Sequence, residues 1–131
     1  MSATPSRALR PFHLAFPVSS LADARAFYGG LLELQEVHKP PALDARGGVW
    51  FALDDGRQLH VGVDPAFSCA RKAHPALAVY SPDALEQAAA RMERHGHEVR
   101  WDDELLGVRR FYVSDPFGNR LELLVREPRK R

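Results

Sequence analysis

Along most of the chain apolar and polar residues alternate in short runs, interrupted twice by stretches with helical spacing. Phe12, Leu14, Phe16 and Val18 alternate with His13, Ala15 and Pro17, which predicts a strand over Phe12–Val18. Ser20 with Asp23 makes a short capping box for a helix whose apolar positions Phe27, Leu31 and Leu34 follow at helical spacing. Gly29-Gly30 weakens that helix near its end. Val49–Leu53 and Gln58–Val63 are predicted strands, joined through the hairpin-turn signal Asp54-Asp55-Gly56. Ser81-Pro82 opens a second helix with proline at its first position, Leu85, Ala89 and Met92 form its buried stripe, and Gly96 stops it. Strands are predicted over His97–Trp101, Arg109–Ser114 and Arg120–Val125, with the turn Asp115–Asn119 between the last two.

The pattern occurs twice. His13, Ala15 and Val18 recur 61 positions on as His74, Ala76 and Val79, and each segment leads through a serine into a helix. Gly56-Arg57-Gln58-Leu59 recurs 62 positions on as Gly118-Asn119-Arg120-Leu121, so one residue has been inserted between the blocks. Each half therefore reads as strand, helix and three strands. No linker separates the modules, at about 10–66 and 72–126, and the expectation is one domain over residues 10–126 with flexible ends at 1–9 and 127–131.

Side chains alternate in direction along a strand, so parity sorts them into two faces. In four strands the bulky aliphatics share the face that must pack on the helices. The opposite face carries His13, His60, His74 and Glu122, at corresponding places in the two modules. Three imidazoles and one carboxylate suit a first-row divalent ion. A single strand histidine is ordinarily a surface or hydrogen-bonded core residue; four donors of one parity on a duplicated unit shift the weight to a metal site. Ala15, Gly62, Ala76 and Ala78 leave room for a cavity beside them.

Trp50 and Tyr112 share that face, either as a substrate wall or as plain aromatic packing. Arg110 and Arg120 also fall there, as receptors for an anionic substrate group or as ordinary exposed strand arginines. His38, beside Pro40-Pro41, is a candidate for the cavity mouth, whereas His95 and His97 bracket Gly96 at a helix end, where capping and exposure suffice. Cys69 stands next to Arg71 and Lys72, charges that lower a thiol pKa, but no histidine and orienter are assigned to it.

Composition narrows the function classes. The chain has 131 residues, 45% hydrophobic and 27% charged, an ordinary globular balance that excludes overall disorder. No apolar run approaches the roughly 18–20 residues of a membrane span. The polar, proline-broken stretch Met1–Pro11 lacks the apolar segment of a secretory signal. A net charge of +1 argues against a nucleic-acid module, and the basic residues at 126–131 read as a solvated tail. One cysteine agrees with a reducing cytoplasm. The expected partner is a small-molecule substrate.

Three stretches carry a family resemblance. His13-Leu14-Ala15-Phe16-Pro17-Val18 resembles the opening strand of the vicinal oxygen chelate superfamily, which includes glyoxalase I, extradiol dioxygenases, fosfomycin-resistance enzymes and bleomycin-resistance proteins. Phe27-Tyr28 with Leu31-Leu32 resembles its first-helix pattern, and Phe111 to Glu122, containing Asp115-Pro116-Phe117-Gly118-Asn119, resembles its closing DPxGNxxEL signature, the most specific of the three. The likeness spans about residues 10–126. It implies an α+β fold in which two βαβββ modules form one curved, mixed eight-stranded sheet around a cavity, helices outside, and it implies a homodimer. It further implies one divalent metal per chain (Ni, Co, Fe, Mn or Zn) holding two adjacent substrate oxygens.

By the same resemblance, His13, His74 and Glu122 are the metal ligands, and His60 is either a fourth ligand or a nearby base. Glu122 or His60 would move the proton in catalysis. The function implied is a metal-dependent enzyme of the glyoxalase or dioxygenase kind, a lyase, isomerase or dioxygenase. The alternative is a drug- or metabolite-binding protein of the bleomycin-resistance type, without turnover.

Overall fold

The computed structural model describes residue 9 and residues 11–126, and for residues 44–46 the backbone alone. The flexible ends expected at 1–9 and 127–131 lie, apart from Leu9, outside the described residues. In the first module β1 (His13–Val18) leads into α1 (Leu21–Ala24), followed by β2 (Gln35–Val37), β3 (Gly48–Ala52) and β4 (Gln58–Val63). The second repeats this order with β5 (Ala76–Val79), α2 (Pro82–Arg94), β6 (Arg100–Asp102), β7 (Arg110–Ser114) and β8 (Arg120–Val125).

The helix starts follow the sequence. Ser20 Oγ accepts from the Asp23 N–H at 3.1 Å, and Ser81 Oγ from the Ala84 N–H at 3.0 Å. After Ala24 the first helix widens over Arg25–Leu31, and the Leu32 N–H reaches back five residues to the Phe27 carbonyl at 3.0 Å. The glycine pair foreseen as a weak point lies within this wider turn.

The eight strands make two four-stranded mixed sheets in equivalent orders, β1-β4-β3-β2 and β5-β8-β7-β6. In each, the first strand of the module lies at one edge and pairs in parallel with the last, and the other two continue from the last as an antiparallel meander. No ladder among the described residues joins the sheets into the single eight-stranded one expected, so β1 and β5 each keep one free edge. Two strands depart from the sequence reading. β2 is three residues long and holds to β3 alone, which leaves no periodicity to read. β6 begins at Arg100 rather than His97, because the helix cap takes the intervening residues: Gly96 turns at φ +85° and the His97 N–H bonds the Met92 carbonyl at 2.9 Å.

The core lies between sheets and helices, with Phe27, Tyr28, Phe51 and Leu59 from the first module and Leu85, Met92, Phe111 and Leu121 from the second all buried. Arg91 of α2 ties the modules together, its Nε donating to the Leu31 carbonyl at 3.0 Å and its Nη1 pairing with Glu33 at 2.9 Å. Packing within the first sheet is tight at Gly48, where a Cβ would stand 2.6 Å from the Val61 carbonyl oxygen. Gly48→Ala must push β3 off β4, and urea unfolding should show a loss of about 1–3 kcal/mol. No helix among the described residues is long and apolar enough to cross a membrane.

Candidate metal centre

The last strand of each module and its two neighbours carry the chemistry, and their registers repeat it. Ala15 faces His60 across β1 and β4 as Ala76 faces Glu122 across β5 and β8. Trp50 is the other neighbour of His60, and Tyr112 the other neighbour of Glu122. The parity assignment of Trp50, His60, Tyr112 and Glu122 to one face is therefore realised in both sheets. Each module ends with a pair of potential ligands: His13 with His60, and His74 with Glu122.

The second pair is built like half of a metal site. The Glu122 side chain is 8% exposed, and its Oε1 lies 3.1 Å from His74 Nε2. His74 Nδ1 is 2.6 Å from the Lys72 carbonyl, an atom that can only accept, so Nδ1 carries the hydrogen. In the neutral ring the lone pair is then on Nε2 and faces a carboxylate oxygen. Two acceptors at that distance require a cation between them, either a proton or a metal ion. A backbone carbonyl fixing the tautomer of a ligating histidine is a common support in metal sites. Here the donor chemistry fits a divalent ion.

Glu122 has a second neighbour that parity alone did not reveal. Arg110 Nη1 reaches its Oε2 at 3.4 Å while Nη2 pairs with Asp102 at 3.1 Å, so one guanidinium bridges two carboxylates. The guanidinium is thereby neutralised, although its buried Nε has no partner among the described residues. Asp102 was not singled out in the sequence; the signal available was its register opposite Arg110.

The first pair is arranged differently. The His60 ring lies flat between Trp50, at 4.0 Å between centroids, and His13, at 4.2 Å. Its Nε2 is hydrogen-bonded to the Gln58 side chain at 2.8 Å. Burial, and then repulsion from His13, lower the His60 pKa and favour the neutral imidazole that can ligate a metal. His13 is exposed at the free edge of its sheet.

What one chain does not do is gather these four donors. Among the described residues no three His, Cys, Asp or Glu side chains come together to hold an ion. The surrounding space is divided as well. His74 and Arg120 border a cavity of about 440 Å³ against β1, Trp50 and His38 border another of about 550 Å³, and His13 lines a third of about 520 Å³. At Cys69 the lowering that Arg71 and Lys72 suggested does not occur. Its Sγ donates to the Phe117 carbonyl at 2.9 Å, and burial, with Asp115 adding to it, pushes its pKa up. Its neighbouring cations do not offset that shift.

Paired βαβββ modules with histidine and carboxylate at repeat-related strand positions define the vicinal oxygen chelate class of fold. The chain matches the Glyoxalase/Bleomycin resistance protein/Dioxygenase superfamily over residues 10–123 and belongs to that family. Among solved structures it is similar to a glyoxalase family protein from Bacillus anthracis, at 35% identity and TM-score 0.82, covering 95% of this chain and 100% of that one. It shares its fold with a lactoylglutathione lyase from Agrobacterium tumefaciens, at 21% identity and TM-score 0.68 over 93% of this chain and 96% of that one. The fosfomycin resistance protein FosX from Listeria monocytogenes is alike at 18% identity and TM-score 0.72, over 96% of this chain and 95% of that one. Among curated proteins none matches this chain.

Proposed function

We propose that this protein is a metal-dependent enzyme acting on a small oxygenated molecule, and that its metal centre is completed between two copies of the chain. His13 and His60 of one copy and His74 and Glu122 of the other would hold the ion. The observation that carries this reading is the His74–Glu122 pair, whose tautomer and 3.1 Å spacing call for a shared cation while the described residues of its own chain offer no third donor. The repeat supplies a matching pair on the other sheet. A two-fold interface places each pair against the other kind and makes two identical sites, which is the ordinary outcome of isologous pairing.

The free edges support the same partner. Phe12 is 78% exposed beside β1, and the groove between β1 and β5 is lined by Phe12, Leu14, Leu77 and Val79, apolar surface that a second copy would cover. When bound, the ion would supply Lewis acidity and hold two adjacent oxygens of the substrate. The chain's own part is to fix the His74 ring through Lys72, hold Glu122 through Arg110, and stack His60 against Trp50. N and O donors of this kind accept Ni, Co, Fe, Mn or Zn. The likeness to a lactoylglutathione lyase and to a fosfomycin resistance protein is one of fold, and it does not choose between lyase, isomerase and dioxygenase chemistry on such a site.

Sedimentation with elemental analysis tests the reading on protein prepared without a histidine tag. A dimer at micromolar concentration with about one divalent ion per chain is expected. A monomer with far less metal would favour the non-catalytic binding protein instead.

A further inference from the structure

We infer that the cavity between β1 and the 68–75 loop is a receptor for a small carboxylic acid, with Arg120 as its anion-binding group. This deepens the reading above by giving a substrate class, and it rests on that reading only for the link to the neighbouring His74.

The two arginines that parity placed on this face have separate occupations. Arg110 is spent on Asp102 and Glu122. The Arg120 side chain makes no hydrogen bond or ion pair among the described residues; its guanidinium lies over the Tyr112 ring, 4.3 Å from the centroid. Stacking of this kind holds the planar group in one orientation while leaving its N–H edge free. Arg120 lines a cavity of about 440 Å³ whose other charged or polar lining is largely engaged. Asn119 donates to the Pro17 carbonyl at 2.9 Å and to Asp115 at 2.8 Å, and His74 is held by Lys72 and Glu122. Ser68 offers one hydroxyl, and Leu14, Phe16, Ala70 and Ala73 supply apolar walls.

One unneutralised cation among apolar walls selects a molecule with one oxyanion and an apolar body. A carboxylate matches the planar fork of guanidinium with two parallel N–H···O bonds. The cavity also touches His74, so an acid seated on Arg120 would extend toward Glu122 and its metal.

Benzoate, benzamide and phenylphosphonate are the probes, titrated into chelator-treated parent protein and followed by amide chemical shifts. Benzoate should bind saturably, shifting the Ala70 and Ala73 signals, and the isosteric benzamide should not. Arg120→Gln should weaken benzoate binding by about tenfold or more, with Arg120→Lys in between. Equal binding of benzoate and benzamide, undiminished binding to Arg120→Gln, or shifts that avoid the cavity would overturn the assignment. Saturable phenylphosphonate binding without benzoate binding would overturn the carboxylate class. Since the titration is metal-free, an empty metal site leaves its outcome untouched.

Discussion

Asp115→Ala is expected to lower stability by about 3–5 kcal/mol, the largest effect of any single substitution outside the apolar core. Asp115 is 4% exposed and accepts four hydrogen bonds: from the Tyr28 hydroxyl at 2.6 Å, the Phe117 N–H at 3.0 Å, the Asn119 N–H at 2.8 Å and the Asn119 side-chain amide at 2.8 Å. Removing the carboxylate strands these donors where water has little access. The same knot closes the turn that feeds β8, and Asn119 continues it to the Pro17 carbonyl of β1. The loss should therefore loosen both the Glu122 strand and the junction between modules. A thermal melt lower by about 10 °C or more, with a matching drop in urea midpoint, is the expected result. A change near zero would mean the knot is not a unit.

The Tyr28 member gives this network a pH signature. Burial raises the Tyr28 pKa well above its ordinary value, and the adjacent Asp115 charge and hydrogen bond raise it further. The folded protein thus keeps the phenol proton that the unfolded chain gives up. Stability from this group is whole below the unfolded pKa of about 10 and declines as pH rises beyond it, by about 1.4 kcal/mol per pH unit. Tyr28→Phe should cost about 1–2 kcal/mol at neutral pH yet lose stability less steeply above pH 10. Parallel declines in parent and variant would exclude Tyr28 as the cause.

The knot also shows where sequence reading stops. Asp115-Pro116-Phe117-Gly118-Asn119 is legible as a turn because its signals are local: Gly118 does adopt φ +93°. That the turn grips Tyr28, 87 positions away, is a tertiary fact without a local pattern. The same division runs through the rest. The helix caps at Ser20 and Ser81 and the strand parities were readable, since each depends on neighbours in sequence. β2 has no sequence signal, being three residues on a polar edge, and β6 reads as starting early because a glycine-turned helix end resembles the start of a strand. Parity put His13, His60, His74 and Glu122 on corresponding faces, but a face is not a meeting point. Whether two strands in different sheets bring their donors together depends on how the sheets pack, within the chain or between chains. Arg110 and Arg120 have equal parity for the same reason, and only cross-strand partners separate the bridged one from the free one.

The second large effect concerns the metal. Substituting both donors of either pair should abolish divalent-ion binding, since each proposed site draws on both pairs, and two remaining ligands give only weak retention. If the centre is shared between copies, the defects complement each other. The decisive measurement is metal titration of three samples: His13→Ala/His60→Ala, His74→Ala/Glu122→Gln, and the two chains co-expressed, each confirmed as folded by its melt. Neither variant alone should bind cobalt or nickel tightly. The mixed preparation should recover parent-like affinity at about one ion per four chains, because about half of the dimers are mixed and each mixed dimer keeps one intact site. No recovery on mixing, with both variants still dimeric, would contradict a centre shared between two copies.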